Sequence, residues 1–250
     1  MSVWLWLCVW SVCWSRHTNN WAVIVDASKY WFNYRHATNA LAVYKALKAA
    51  GLPDSQIILM LPDDIACSAK NCRKGQVFAG TLGDNDLLPA EVDYRGSEVT
   101  PNTFLRVLTD RLGQDTQRSK RLLTDSSSNI LIYLTGHGGE DFLKFQDKEI
   151  LSSRDLADAF EQMRVQKRFN EIFFIADTCQ AESMLAKITT QGIFGLGTSK
   201  TGQSSYSHTY DPILGNFLSD KFVFFALKKF DDLNHKKIDR VPLVSFVSVV

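Results

Sequence analysis

Buried strands and amphipathic helices alternate along the sequence. Mainly apolar runs, which are typical of parallel strands covered on both faces, occur at residues 21–27, 56–61, 130–134 and 172–176. Helical spacing of apolar residues appears between these runs, at 38–51, 100–113 and 151–164, and a last helix is predicted around 216–229. This alternation predicts an α/β fold, with a mostly parallel sheet, right-handed crossovers and helices on both faces.

Two of the predicted strands lead into residues whose side chains can take part in catalysis. The run "NILIYLTGHGG" leads into His137, which is flanked by glycines that permit a tight turn, and "NEIFFIADTC" ends at Cys179. Active sites of open parallel sheets lie beyond the carboxyl ends of the strands. A thiol and an imidazole at that edge predict a nucleophile and its general base, although an isolated histidine in a loop is more often only a surface residue.

The N-terminal sequence predicts a signal peptide over residues 1–18. Apolar and tryptophan residues fill positions 3–14, a length too short to span a bilayer but suited to the core of a secretory signal. A buried N-terminal strand is the alternative, because no basic residue precedes the run and no small-residue cleavage site follows it. We expect a single catalytic domain over residues 19–230 and a C-terminal tail over 231–250.

Composition narrows the functional classes. The chain has 250 residues, 45% of them hydrophobic, and a formal net charge of +1, which gives no reason to expect nucleic-acid binding. Neither Gly-x-Gly-x-x-Gly nor a P-loop sequence occurs, and there is no Cys-x-x-Cys pair that would indicate zinc.

A long polar segment, residues 62–99, is a candidate functional loop. It contains Cys67 and Cys72, which could bridge to each other, remain free, or pair with another chain. Near its end, Glu91 and Asp93 would share one face of an extended strand, and Asp54 could join them in a calcium site of hard oxygen ligands. The alternative is a solvated acidic face or pairing of these carboxylates with Arg95.

Nine separated blocks of the sequence resemble a known family. They are "YWFNYRHATNALAVYKAL", "PDSQIILML", "EVDYRGSEVT", "NTFLRVL", "RSKRLL", "NILIYLTGHGG", "FLKFQDKEIL", "ADAFEQM" and "DTCQAESM". Together they resemble the legumain branch of the caspase-like cysteine peptidases, and within it the catalytic subunits of glycosylphosphatidylinositol (GPI) transamidases. The resemblance extends over roughly residues 20 to 229.

The resemblance assigns roles to residues of this chain. It implies that Cys179 is the nucleophile, that His137 is the general base and that Asn33 orients the histidine. The backbone N–H groups of Gly138 and Cys179 would form the oxyanion hole. The first substrate pocket would be lined by Arg35, His36, Asp177 and Ser205, although an Arg35–Asp177 ion pair could serve only to brace the sheet edge.

The resemblance also implies an activity and partners. A C-terminal attachment signal would be cleaved through a thioester on Cys179, and the amine of a GPI lipid would resolve that thioester without any cofactor. We expect a location on the lumenal face of the endoplasmic reticulum and attachment through other subunits of a membrane complex, one of them disulfide-linked through Cys67. A legumain-like endopeptidase that uses water as the acceptor, and an inactive scaffold of the same fold, are the alternatives.

Two features depart from the family pattern. Many members continue into a C-terminal membrane segment, which residues up to Val250 do not contain. Asp26 lies where relatives tend to have small or apolar residues. This difference concerns the local packing and does not concern any catalytic role.

Overall fold

The computed structural model describes residues 19–80 and 86–235, with side chains described up to residue 229. The predicted signal peptide, residues 1–18, lies outside the described residues, as does the tail beyond residue 235. No helix within the described ranges is long and apolar enough to cross a membrane.

A six-stranded parallel sheet forms the centre of the molecule, in the order β3-β2-β1-β4-β8-β9. Its strands are β1 (Asn20–Asp26), β2 (Ile57–Leu61), β3 (Tyr94–Arg95), β4 (Asn129–Thr135), β8 (Glu171–Asp177) and β9 (Ile193–Gly197). The four strands expected from apolar runs are therefore confirmed within one or two residues at each end. Strands β3 and β9 were not predicted, because one is very short and the other contains two glycines.

Two small antiparallel sheets lie beside the central one. The first consists of β5 (Gly138–Gly139), β6 (Phe142–Phe145) and β7 (Glu149–Ser152), and the second is a hairpin of β10 (Ser207–Asp211) and β11 (Asn216–Asp220). The prediction of a helix from residue 216 is wrong at its start, because residues 216–220 pair with β10 and the helix begins only at Lys221.

Within the described part of the chain there are five α-helices: α1 (Tyr34–Ala49), α2 (Pro101–Thr109), α3 (Ser153–Val165), α4 (Ala181–Leu185) and α5 (Lys221–His235). The Thr100 hydroxyl caps α2 by accepting from the N–H of Thr103, and the Ser152 hydroxyl caps α3 by accepting from the N–H of Asp155, both at 3.0 Å. Helix α2 ends at Asp110 in a left-handed conformation, before the expected Gly113.

The core lies on both faces of the sheet. One cluster places Val23, Ile132 and Phe174 against α2 and α3, and the other places Ile24, Tyr133 and Ile175 against α1 and α5. Alternate residues of each central strand thus enter opposite clusters, as burial of a parallel sheet on both faces requires. Because helices cover both faces of the sheet, the carboxyl ends of the strands remain uncovered.

Candidate active site

The register of the sheet brings His137 and Cys179 to neighbouring positions. Strands β4 and β8 pair in parallel, with Thr135 opposite Asp177 at their carboxyl ends. His137 and Cys179 are each the second residue after that last pair, and adjacent strands are only ~4.8 Å apart. The pairing expected from the two sequence motifs therefore has a direct structural basis.

Asn33 fixes the orientation of the His137 ring. Its side-chain oxygen lies 2.7 Å from Nε2 of His137, while its amide nitrogen donates to the carbonyl oxygen of Lys29, also at 2.7 Å. The second bond shows which end of the Asn33 amide faces the ring. Nε2 of His137 must then carry the hydrogen, which leaves Nδ1 as the basic atom of the neutral ring.

His36 lies behind this pair and is buried. Its ring packs edge-on against that of His137, with centroids 4.9 Å apart, and its Nδ1 lies 2.8 Å from the Ser28 hydroxyl. Burial, followed by the charge of Arg35 and the proximity of His137, lowers the pKa of His36 well below its usual value. His36 therefore supports His137 as a neutral ring and does not present a charge to the cleft.

The pKa of His137 is also lowered, first by partial burial and then by the positive charge of Arg35. A lowered pKa keeps the imidazole unprotonated at neutral pH, and an unprotonated ring can accept a proton from a thiol. The electrostatics of the site thus favour the basic form of His137.

A tight backbone turn holds Cys179 at the end of β8. Gln180, the next residue, is left-handed with φ 53°, and its N–H donates to the carbonyl oxygen of Gln203 at 2.9 Å. Helix α4 begins directly afterwards, at Ala181. The thiol is free and partly exposed, as a nucleophile that must meet a substrate requires.

Gly138 leaves no room for a side chain. A Cβ atom at this position would lie 2.4 Å from Oγ1 of Thr178 and 2.9 Å from the carbonyl oxygen of Phe142. The main chain after the histidine therefore packs directly against the residue that precedes the nucleophile. This contact agrees with the expected pairing of Gly138 and Cys179 as oxyanion donors, a role that stays a prediction.

The predicted pocket residues lie near the carboxyl ends of the strands, as His137 and Cys179 do. The ion pair that Arg35 forms differs from the one considered from the sequence. Nε of Arg35 lies 3.0 Å from Asp220, and the Arg35–Asp177 ion pair considered from the sequence is not the one that forms. Asp220 also accepts a hydrogen bond from the Asn39 amide at 2.7 Å and lies 3.7 Å from Nε2 of His36.

Asp177 is buried and accepts a hydrogen bond from the Tyr133 hydroxyl at 2.7 Å. Its other oxygen, Oδ1, has no hydrogen-bond partner within the described residues, although the hydroxyls of Thr198 and Ser205 lie close enough to favour its charged form. Burial, reinforced by the nearby carboxylate of Asp220, raises the pKa of Asp177 to about 7. Asp177 and Ser205 are thus neighbours, as the predicted pocket requires.

Sequence reasoning missed Asp220 and Tyr133. Asp220 ends a strand, which is the same signal that drew attention to Asp177 and Cys179, but its strand was interpreted as a helix. In the sequence, Tyr133 was interpreted as one more apolar position of β4.

Asp26, which departs from the family pattern, is buried. Its carboxylate accepts a hydrogen bond from the N–H of Ser28 at 2.8 Å, and burial raises its pKa.

The three carboxylates of the predicted calcium site lie near one another. The nearby carboxylate of Asp54 raises the pKa of Glu91, and the pKa of Asp93 is raised to about 6, first by burial and then by these two charges. Residues 91–93 precede β3 and are not on a strand, which corrects the geometry assumed from the sequence.

Two of these carboxylates already have protein partners. Asp54 accepts from the Tyr44 hydroxyl, and Asp93 accepts from the N–H of Leu59 at 2.9 Å. Across residues 19–80 and 86–229 there is no group of three or more His, Cys, Asp or Glu side chains placed to hold a metal ion. The geometry therefore supplies oxygen donors of the right chemistry for calcium, but no assembled set of ligands.

Cys67 and Cys72 are both exposed and free in the segment after β2. The N–H of Cys67 donates to Asp64, whereas the thiol of Cys72 lies 3.7 Å from the carbonyl oxygen of Ile213, in the β10–β11 hairpin. The two cysteines thus have different surroundings, and both are accessible to a partner chain.

A cysteine and an asparagine-held histidine at adjacent strand ends of a parallel α/β sheet define a caspase-like cysteine peptidase fold. The chain belongs to the Peptidase C13 family, whose model matches residues 20–241.

Three relatives carry the name GPI-anchor transamidase, one of them as a putative one. The chain is 53% identical over 215 residues to a GPI-anchor transamidase of Saccharomyces cerevisiae, 51% over 220 residues to a putative GPI-anchor transamidase of Drosophila melanogaster, and 50% over 226 residues to the GPI-anchor transamidase of Homo sapiens. These matches cover 85%, 86% and 88% of this chain, but only 52%, 61% and 56% of the relatives. The chain thus spans a little over half the length of the curated relatives it matches.

Proposed function

We propose that this chain is the catalytic domain of a GPI-anchor transamidase. The observation that carries the proposal is the placement of His137 and Cys179 at neighbouring strand ends, with Asn33 holding the histidine. The names of the relatives favour this function over the legumain-like endopeptidase, which would use the same three residues.

The proposed reaction has two steps. Nδ1 of His137 takes the thiol proton, and Cys179 attacks the carbonyl carbon that precedes the C-terminal signal. The C–N bond breaks, the released amine receives the proton, and the new carboxyl end remains as a thioester on Cys179. The ethanolamine amine of a GPI lipid then attacks the thioester, forms the amide bond and returns the thiol.

The pocket composition suits a polar residue at the cleavage site. Arg35, Asp220 and Asp177 supply charged and hydrogen-bonding groups near the carboxyl ends of the strands, and the ion pair between Arg35 and Asp220 holds two of them in place. Such preorganised groups recognise polar side chains without having to reorganise on binding.

Complementation of transamidase-deficient cells tests the proposal. Residues 20–241 would replace the matching segment of the cells' own catalytic subunit, and display of a GPI-anchored reporter would be measured by flow cytometry. We expect display to return with the native sequence and to be absent with Cys179→Ala, while Cys72→Ala serves as the matched control. Absence of display with the native chimera, together with cleavage of a simple asparagine peptide by purified protein, would favour the endopeptidase.

We further propose that Cys67 links the domain to another subunit of a membrane complex on the lumenal face of the endoplasmic reticulum. Exposure of the thiol supports this, because exposed cysteines in an oxidising compartment tend to be paired. Cys67→Ser should remove a high-mass band on non-reducing gels and lower anchoring only partly. Loss of that band in Cys72→Ser, but not in Cys67→Ser, would identify Cys72 as the linking residue.

We also propose calcium as a structural ion at Asp54, Glu91 and Asp93. The support is the repulsion among three carboxylates, which a cation would relieve. The double variant Glu91→Gln/Asp93→Asn should lose any rise in melting temperature that calcium gives to the native protein. An identical melting temperature of the native protein with calcium and with chelator would exclude the site.

A further inference from the structure

The loop after β9 lies beside the turn that carries Cys179. Strands β8 and β9 pair in parallel, and their last pair is Ala176 with Gly197. Ser199 is the second residue after β9, the same position that His137 and Cys179 have after their own strands. Because the carboxyl ends of parallel strands meet at one edge of a sheet, Ser199 reaches the turn from the neighbouring strand.

The hydroxyl of Ser199 binds the main chain on both sides of Cys179. It donates to the carbonyl oxygen of Thr178 at 2.7 Å and accepts from the N–H of Ala181 at 3.1 Å. A serine hydroxyl can donate one hydrogen bond and accept others, so a single side chain supplies both bonds. The two bonded groups lie on either side of residues 179 and 180, and the hydroxyl between them fixes the width of the turn.

Further contacts hold Ser199 itself in place. The N–H of Glu182 donates to the carbonyl oxygen of Ser199 at 3.0 Å, and the side chain of Glu182 accepts from the N–H of Thr201 at 2.9 Å. The end of β9 also packs tightly there, because a Cβ atom at Gly197 would lie 3.0 Å from the backbone nitrogen of Glu182. The backbone of Ser199 is therefore fixed against the start of α4, which keeps its hydroxyl within reach of the turn.

We propose that Ser199 is a positioning residue for the nucleophile: its hydroxyl sets the turn so that the thiol of Cys179 can pass its proton to Nδ1 of His137. Ser199 acts through the backbone of residues 178–181 and takes no part in the proton transfer itself. A looser turn would keep the thiol away from the imidazole for part of the time and slow this transfer, even in a folded chain. The inference rests on the proposed function for the role of His137 as the base, and not for the GPI lipid.

Alkylation of Cys179 by iodoacetamide tests the proposal on the purified full chain. The rate would be followed by mass spectrometry of the peptide that contains Cys179, below the melting temperature of each variant. Only the thiolate reacts well, so the rate at about pH 7 depends on proton transfer to His137, whereas at about pH 10 the thiol loses its proton to the solvent. A comparison of the two conditions therefore separates proton transfer from access to the thiol.

We expect Ser199→Ala to react about fivefold more slowly than the native chain at about pH 7, and at the native rate at about pH 10. Ser199→Thr keeps the hydroxyl and should react at the native rate under both conditions. Ser204→Ala is the matched control, because it makes the same change at an exposed position of the same loop, and it should also react at the native rate.

Native alkylation rates in Ser199→Ala, with or without a lower melting temperature, would leave the hydroxyl a structural role only and overturn the proposal. An equal loss in Ser199→Thr, or a loss as large at about pH 10 as at about pH 7, would overturn it as well. His137→Ala separates this inference from the proposed function. If His137→Ala reacts as fast as the native chain, His137 is not the base and both fail, whereas slow reaction of His137→Ala beside native reaction of Ser199→Ala overturns only the role of Ser199.

Discussion

The two strand ends that form the candidate site are held by different means. At the end of β4, side chains hold His137, because Asn33 bonds its ring and His36 packs against it. At the end of β8, the backbone holds Cys179, through the left-handed turn at Gln180 and the bond from its N–H to Gln203. His137 should therefore be sensitive to changes in distant side chains, whereas Cys179 should be sensitive mainly to changes in local backbone geometry.

The largest effect is expected where the two ends touch, at Gly138. A Cβ atom there would collide with Thr178 and with the carbonyl oxygen of Phe142, so Gly138→Ala must displace the main chain beside the nucleophile. We expect the anchoring rate to fall ~100-fold or more, the loss typical of a displaced oxyanion donor. Gly113→Ala is the control, because a Cβ atom there would meet nothing closer than 3.9 Å. Equal rates for the two variants would show that the contact has no role.

Removal of the side chain that orients His137 should lower the anchoring rate less than Gly138→Ala does. Asn33→Ala leaves His137 in place but frees its ring to rotate, and we expect the anchoring rate to fall ~10- to 100-fold with little change in melting temperature. Phe32→Ala, at an exposed neighbouring position, serves as the control. An unchanged rate in Asn33→Ala would mean that packing against His36 alone orients the base.

Asp177, the buried acid at the end of β8, should change how the free energy of unfolding depends on pH. The pKa of Asp177 is about 7 in the folded chain against an ordinary value of 3.8, so the folded state binds the extra proton between these values. Its contribution to the free energy of unfolding is therefore lost as the pH rises from about 4 to 7. Asp177→Asn should flatten this decline in denaturant titrations across that range. Parallel pH profiles for the two proteins would contradict the raised pKa.

The smallest effect is expected at Gln180. Glycine adopts a left-handed backbone more readily than glutamine does, so Gln180→Gly should keep the turn and most of the activity, within about a factor of three. Gln180→Val, which is disfavoured in that conformation, should lose more than Gln180→Gly. If both variants are equally impaired, the hydrogen bond that the Gly202 N–H donates to the side-chain oxygen of Gln180, and not the turn, is what matters.

Some residues of this site could be predicted from the sequence, and others could not. His137 and Cys179 were visible because each follows an apolar run long enough to be a strand. The start of α1 was not visible, because Arg35, His36 and Asn39 interrupt the apolar spacing. His36 and Asn39 are nevertheless buried through contacts with Ser28 and the hairpin, and Arg35 is half-buried against Asp220. The pairing of Arg35 with Asp220, and not with Asp177, depends on where the β10–β11 hairpin lies in space, which local patterns do not report.

The contact between Arg35 and Asp220 also has a consequence for synthesis of the protein, because 185 positions separate the two residues. A chain still on the ribosome contains His137 and Cys179 well before Asp220 emerges. Until that residue arrives, Arg35 lacks the carboxylate that holds it, and Asn39 lacks its bond to the hairpin. The thiol of Cys179 is therefore made before the contacts that hold the predicted substrate pocket, so these contacts can form only after Asp220 has been synthesised.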